Sequence, residues 1–171
     1  MRQWLIRYIE HAFRGVALKE GVTLYEAKYL ADYGFSQMEL ELSKQAERLD
    51  WKRVPVDHLF ERTDAIFFMN SAAKKFYSPA IMRAVLMEGV RNGVMYASFL
   101  LDLRSFVEAK IENDVPFSHL YNAAQRAAIV RFCKFAAFNA PRELGREVPL
   151  RILDCIRRLE APHKCHHPKS R

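Results

Sequence analysis

Six histidines and three cysteines are the side chains of this 171-residue sequence best suited to chemistry. The densest group is His163-Lys164-Cys165-His166-His167, and imidazole and thiolate are the usual zinc ligands. Adjacent residues cannot all point at one tetrahedral ion, however, and no second ligand cluster lies at finger spacing; only Cys155 is close in sequence. A carboxylate-bridged iron centre needs Glu-x-x-His pairs on helices, and the one such spacing, Glu160 to His163, is interrupted by Pro162. The chain holds no Gly-x-Ser-x-Gly elbow, no phosphate-cradling glycine loop before a lysine and no His-Glu-x-x-His. Cys133 falls on the core side of its helix, where a thiol behaves as a small hydrophobe. His119 precedes a helix within reach of Asp114 or Asp102, and Asp57-His58 lies on a short polar helix; capping or solvation accounts for both. No catalytic residue, metal or cofactor is expected.

A polar and aromatic set remains: Glu26, Asp32, Tyr33, Asn70, Phe76, Tyr77, Arg83, Gln125 and Arg126. Glu26 and Asn70 suit helix caps, Tyr33 and Tyr77 suit core aromatics with a wet hydroxyl, and Arg83 suits a pair with Asp32. A binding site is expected where Asp32, Tyr33, Tyr77, Arg83 and Arg126 converge.

The elements that must position these residues are helical. Leu5, Ile6, Ile9, Ala12, Phe13 and Val16 form one stripe over residues 2–16, ending near Gly15. Thr23-x-x-Glu26 is a capping box opening a helix to about Asp32, with Gly34 as its stop. Ser36 is expected to cap the next helix, through about Leu49, with Met38, Leu42, Ala46 and Leu49 inward. Trp51 to Pro55 reads as a loop, and Pro55 as the entry to a brief helix through Arg62. Ala65-Ile66-Phe67-Phe68-Met69 reads as an apolar lead-in to a helix capped by Asn70 rather than as a strand, because no partner strand is visible. From Ser71 to about Glu88 the pattern is helical, with Phe76, Ala80, Met82 and Leu86 recurring and Pro79 either kinking the helix or marking its start. Gly89 and Gly93 bracket a turn, Met95 to Val107 is a core helix, and Asn113 to Pro116 a loop. Asn122 to Phe138 is the clearest helix, with Ile129, Phe132, Phe135 and Ala136 inward and Arg126, Arg131 and Lys134 at the edge. A last helix starts near Pro149, with Val148, Ile152, Ile156 and Leu159 on one face. The expected architecture is all-α: a single compact multi-helix domain over 1–162, followed by a mobile His/Lys-rich basic tail, 163–171.

Length and composition agree. Half of the residues are apolar and 27% are charged, as in an ordinary globular domain able to bury its own core. The longest nearly unbroken apolar run, Val94 to Leu101, falls far short of the roughly 20 residues that cross a bilayer. Charges interrupt the first ten residues as they would not in a signal peptide, so a cytoplasmic protein is expected. An odd, sparse set of cysteines is no disulfide framework.

Nucleic acid is a second possibility. The formal charge is +7, and residues 142–171 hold 8 basic against 4 acidic side chains. Arg142, Arg146, Arg151, Arg157, Arg158, Lys164, Lys169 and Arg171 would be the phosphate contacts. Residues 23–49 echo a helix-turn-helix, but Gly34 follows Ala27 too late, and Glu39, Glu41, Glu47 and Asp50 outweigh Lys44 and Arg48 on the would-be reading helix. A plain helical hairpin is the better reading.

Several segments taken in order resemble an uncharacterised bacterial domain-of-unknown-function family. They are Gly21-Val22-Thr23-Leu24-Tyr25-Glu26-Ala27, Asp32-Tyr33-Gly34, Trp51 with Val54-Pro55, Phe67-Phe68-Met69-Asn70, Phe76-Tyr77-Ser78-Pro79-Ala80-Ile81-Met82 and Gln125-Arg126-Ala127-Ala128. The resemblance spans roughly residues 10–138, with Asn70 where the family usually has Asp, Ser71-Ala72-Ala73 lacking its usual Glu-Gly, and the basic end after Pro141 outside the pattern. It implies a single compact domain of bacterial or phage type and transfers no functional residue.

The function expected is therefore a non-enzymatic protein-interaction module, a toxin-neutralising or regulatory partner, in which aromatics beside charges supply the binding surface. The broad stripe of helix 2–16 would also serve a homodimer. Nucleic-acid binding through the basic end and an enzyme of unrecognised class are the alternatives.

Overall fold

A computed structural model describes residues 1–32, 37–88, 93–108, 115–139 and 146–160. Every regular element among them is helical. The α-helices are α1 (Arg2–Ala12), α2 (Leu24–Asp32), α3 (Gln37–Gln45), α4 (Val56–Glu61), α5 (Ser71–Glu88), α6 (Gly93–Val107), α7 (Phe117–Leu120), α8 (Ala123–Asn139) and α9 (Glu147–Glu160). Single 3-10 turns cover Trp51–Arg53 and Asp64–Phe68.

The centre is α5, with 12 of its 18 residues buried. A helix apolar on all sides can be stable only where neighbours surround it. It meets α1 and the Trp51–Arg53 turn, while α8 packs on α1 and α9, and α6 on α9 and the Asp64–Phe68 turn. Pro79 lies inside α5 and its ring is buried, so the helix runs through it. Asn70 caps α5 as expected, its Oδ1 accepting from the Ala73 amide at 3.0 Å. One contiguous apolar core runs from Leu5 to Ile156. Tyr121 stands at an aromatic hub in it, with ring centroids 5.2 Å from Phe117 and 6.2 Å from both Phe13 and Phe106.

The Thr23 box is present. The Thr23 amide donates to Glu26 Oε2 at 2.5 Å, and the Glu26 amide donates to Thr23 Oγ1 at 3.2 Å. A second reciprocal cap, legible as Asn122-x-x-Gln125 but not anticipated, opens α8: the Gln125 amide donates to Asn122 Oδ1 at 2.9 Å and the Asn122 amide to Gln125 Oε1 at 3.1 Å.

Two expectations need correction. Helix α1 stops at Ala12, and Phe13 to Gly15 form a turn in which Gly15 takes φ +75°, a left-handed conformation that glycine adopts without cost. Helix α3 stops at Gln45 and buries a different face. Met38 and Leu49 are 72% and 81% exposed, whereas Ser43 is buried. The reason is polar: Ser43 Oγ donates to Glu26 Oε1 at 3.0 Å and lies 3.1 Å from Thr23 Oγ1, so α3 turns its hydroxyl toward the cap of α2. The Trp51–Pro55 loop includes a 3-10 turn, anchored because the buried Trp51 indole N–H donates to the Phe13 carbonyl at 3.0 Å. Gly34 and Ser36, residues 89–92 and 109–114, and the tail 163–171 lie outside the described residues.

Candidate functional site

Tyr77, Arg83 and Arg126, singled out from the sequence, each have a different partner. Tyr77 is buried on α5, and its hydroxyl accepts from the Leu24 amide at 3.3 Å, satisfying a donor in the first turn of α2. Burial pushes its phenol up to about 12. Arg83 meets Glu10 of α1, Nε to Oε1 at 3.4 Å. The Asp32 side chain and all of Tyr33 lie outside the described residues. Arg126 Nη1 donates to the Tyr121 and Ser118 carbonyls at 2.7 and 3.3 Å, while its Nε meets Glu160 Oε1 at 3.0 Å, clamping α7 and α9 onto α8. Among the described residues, no hydrogen bond or ion pair links Tyr77, Arg83 and Arg126.

Glu26 sits at a satisfied junction. Arg48 Nη2 lies 3.1 Å from its Oε1, and Arg48 Nη1 donates to the Gly21 carbonyl at 3.1 Å. Burial raises its pKa, but the hydrogen bonds from Thr23 and Ser43 and the Arg48 charge outweigh that, leaving it below the usual glutamate value. A carboxylate so fully engaged is a brace.

Sequence reasoning missed two polar groups. Lys74 and Asp102 form a buried ion pair, Nζ to Oδ1 at 2.5 Å, between α5 and α6. Beside it Ser78 Oγ donates to the Lys74 carbonyl at 2.6 Å and lies 2.9 Å from the Tyr121 hydroxyl. Asp102 is thus engaged by Lys74. Tyr25 Oη lies 2.9 Å from His58 Nδ1 with the Arg62 guanidinium 4.5 Å above the Tyr25 ring. No spacing rule joins Lys74 to Asp102 or Tyr25 to His58; only the fold does.

One outward-looking set of described residues lies between α1 and the second half of α8. A groove of about 310 Å³ has buried Leu5 and Phe135 as its floor and Trp4 and Phe138, 57% and 84% exposed, as its flanks. Its charged members are Arg131 and Lys134. Arg131 rests 4.3 Å over the Tyr8 ring and 6.0 Å over that of Trp4, and Arg2 lies 5.9 Å over Phe135. These cations lie on aromatic faces, which keeps their positive charge open to a carboxylate from outside. Lys134 also borders a hollow of about 410 Å³ between α8 and α9, where Val130, Leu153 and Ile156 meet Arg157. The groove can seat an apolar side chain and meet an anion at its rim. The i, i+4 pair Trp4/Tyr8 and the Arg131, Lys134, Phe138 spacing were the available signals for it.

The α9 cations are divided. Arg151 Nε meets Glu108 Oε1 at 2.6 Å and Arg158 pairs with Asp154, whereas Arg157 opens on the α8/α9 hollow. Arg142, Lys164, Lys169 and Arg171 lie outside the described residues. Among those described, no three His, Cys, Asp or Glu side chains gather as a metal ion requires, and no helix is long and apolar enough to cross a membrane.

The sequence pattern of a known family runs over residues 1–149. The chain belongs to DUF6714, a family of unknown function. The DUF6714 match extends beyond the motif-bearing span 10–138 at both ends, so it takes in all of α1 and α8 and therefore both walls of the groove. It stops within the first turn of α9, leaving most of that helix outside the DUF6714 pattern. No curated protein and no solved structure matches the chain.

Proposed function

We propose that the chain is a protein-interaction module that holds an acidic, apolar-anchored segment of a partner protein in the α1/α8 groove. The observation that carries this reading is the groove itself: exposed Trp4 and Phe138 stand over buried Leu5 and Phe135, with Arg131 and Lys134 as the lining's charges. Exposed aromatics around an apolar floor are the composition of binding hot spots. The unneutralised rim cations select a segment carrying Asp or Glu beside its apolar anchor and steer its approach. Occupancy of such a groove regulates a partner by sequestering that segment, with no reaction on this chain.

The test places a photo-crosslinking phenylalanine analogue at Phe138 and, as control, at Leu40 on the far element α3, in the native cell. The expected result is one discrete protein joined at position 138, equally with and without nuclease, lost with Lys134→Glu and absent at position 40. Equal crosslinking at both positions, nucleic acid only, or a second copy of this chain at position 138 would overturn the proposal.

A further inference from the structure

A second concavity lies on another edge of α1 and has a different chemistry. It is a cleft of about 510 Å³ between α1, the turn that ends it, and the segment leading into the Trp51–Arg53 turn. Arg7 and His11, one helical turn apart, face into it, and Arg14 follows from the turn. Lys52 stands across from them, with the Trp51 ring, 2% exposed, beneath and Leu49, 81% exposed, at the lip.

The cleft contains two carboxylates, and both are already engaged. Glu10 pairs with Arg83 at 3.4 Å. Asp50 accepts from the Lys52 amide at 3.1 Å and lies 3.7 Å from the Lys52 ammonium. Neither Arg7 nor Arg14 forms an ion pair with a carboxylate of the described chain, and Glu10, which lies between them in the lining, is drawn to Arg83. A concave wall concentrates the field of such charges more than a convex helix surface does. Guanidinium groups match phosphate oxygens two at a time, which a diffuse basic face cannot.

We propose that this cleft binds a small phosphorylated ligand through two adjacent phosphate groups, one on Arg7 and the other on Arg14, with His11 donating between them. Its volume lies within the range of small-molecule sites, roughly 300–1,000 Å³. Leu49 and Val16 offer the non-phosphate part of the ligand an apolar contact. The site is independent of the α1/α8 groove, shares none of its charged residues and stands or falls alone.

Inorganic pyrophosphate is the probe, titrated into the full chain carrying Trp4→Phe, which leaves Trp51 as the sole indole reporter. The expected result is a saturable fluorescence change of one-site form. Affinity should fall at least tenfold in Arg7→Gln and in Arg14→Gln, and stay unchanged in Lys134→Gln in the other groove. Arg7 and Arg14 are exposed, so unchanged melting temperatures will show that both variants fold. A linear response, an equal response to sodium chloride at matched ionic strength, or full affinity in both arginine variants would overturn the proposal. Saturation by sulfate as tight as by pyrophosphate would reduce the site to an adventitious anion patch and overturn the two-phosphate assignment.

Discussion

Removing both partners of the Lys74–Asp102 pair should cost no more than removing either one alone. The two side chains are 4% and 9% exposed and lie 2.5 Å apart, with the Phe106 ring 5.7 Å from the ammonium. Asp102→Ala takes from the Lys74 ammonium the carboxylate it faces, and Lys74→Met takes the ammonium from Asp102. Each uncompensated charge costs about 3–5 kcal/mol. If the two losses simply added, the double variant would lose roughly 6–10 kcal/mol, most of the stability of an ordinary domain. The double variant carries no orphan charge, so its loss should instead resemble or fall below that of one single variant, about 2–4 kcal/mol for the polar contact and the small void. Urea unfolding at pH 7 reads this as a fall in midpoint at constant slope. Melting should fall by about 10 °C or more in Asp102→Ala. Loss in the double variant equal to the sum of the singles, or a cost under about 1 kcal/mol for Asp102→Ala, would show that the pair is not the buried, mutually dependent unit described.

Two further perturbations test other parts of the fold. Burial pushes the Cys133 thiol to about 12 from 9.0, and the Tyr77 and Tyr96 phenols to about 12 from 10.0. The folded chain then keeps protons that the unfolded chain releases, so stability falls as pH rises past 9, by about 1.4 kcal/mol per unit from Cys133 alone, and more steeply past 10. Cys133→Ala should remove the first part of that decline in urea midpoints taken from pH 7.5 to 10.5, and a flat native profile up to pH 10 would contradict the burial argument. Gly21→Ala would set a Cβ 2.6 Å from Leu18 Cδ1, 2.9 Å from the Leu18 carbonyl and 3.0 Å from Ala72 Cβ. It should cost about 1–3 kcal/mol in thermal melts, and a variant as stable as the native chain would refute that close approach.

Helix identity was legible wherever one local rule acted alone. The Thr23/Glu26 box, the Asn70 cap and the inward face of α8 depend on residues three or four apart, and all stand in the structure. The inward face of α3 was not legible, because the choice between Met38 and Ser43 is made by Glu26, 17 residues before Ser43. Apolar periodicity carries no account of a hydroxyl required by a distant cap. The candidate site shows the same division. Tyr77 and Arg126 stand out as polar groups on apolar helices, yet their partners are the Leu24 amide and the Tyr121 carbonyl, which a side-chain pattern does not mark. The groove was partly legible, since Trp4 with Tyr8, and Arg131 with Lys134 and Phe138, lie at helical spacing. What joined them was the packing of α1 on α8.

That packing also decides what the apolar stripe of α1 can do. Leu5, Ile9 and Phe13 are 3%, 0% and 0% exposed, so the part of the stripe that suggested a homodimer is already covered within the chain. Trp4, at its edge, is what α1 still offers to a partner. The basic surplus shifts in the same way. Counted along the sequence it gathers after residue 142, but Arg151 and Arg158 have carboxylate partners, and Glu160 is held by Arg126. Arg131 and Lys134 beside the groove, and Arg7 and Arg14 in the cleft, have none in the described chain. Attraction of an anion depends on uncompensated charge rather than on the number of basic residues, and short-range ion pairs cancel most of a cation's field beyond a Debye length of about 8 Å. Within the described residues, cations without a carboxylate partner therefore stand on the faces of α1 and α8, whereas α9 carries as many carboxylates as arginines and pairs Arg151 and Arg158.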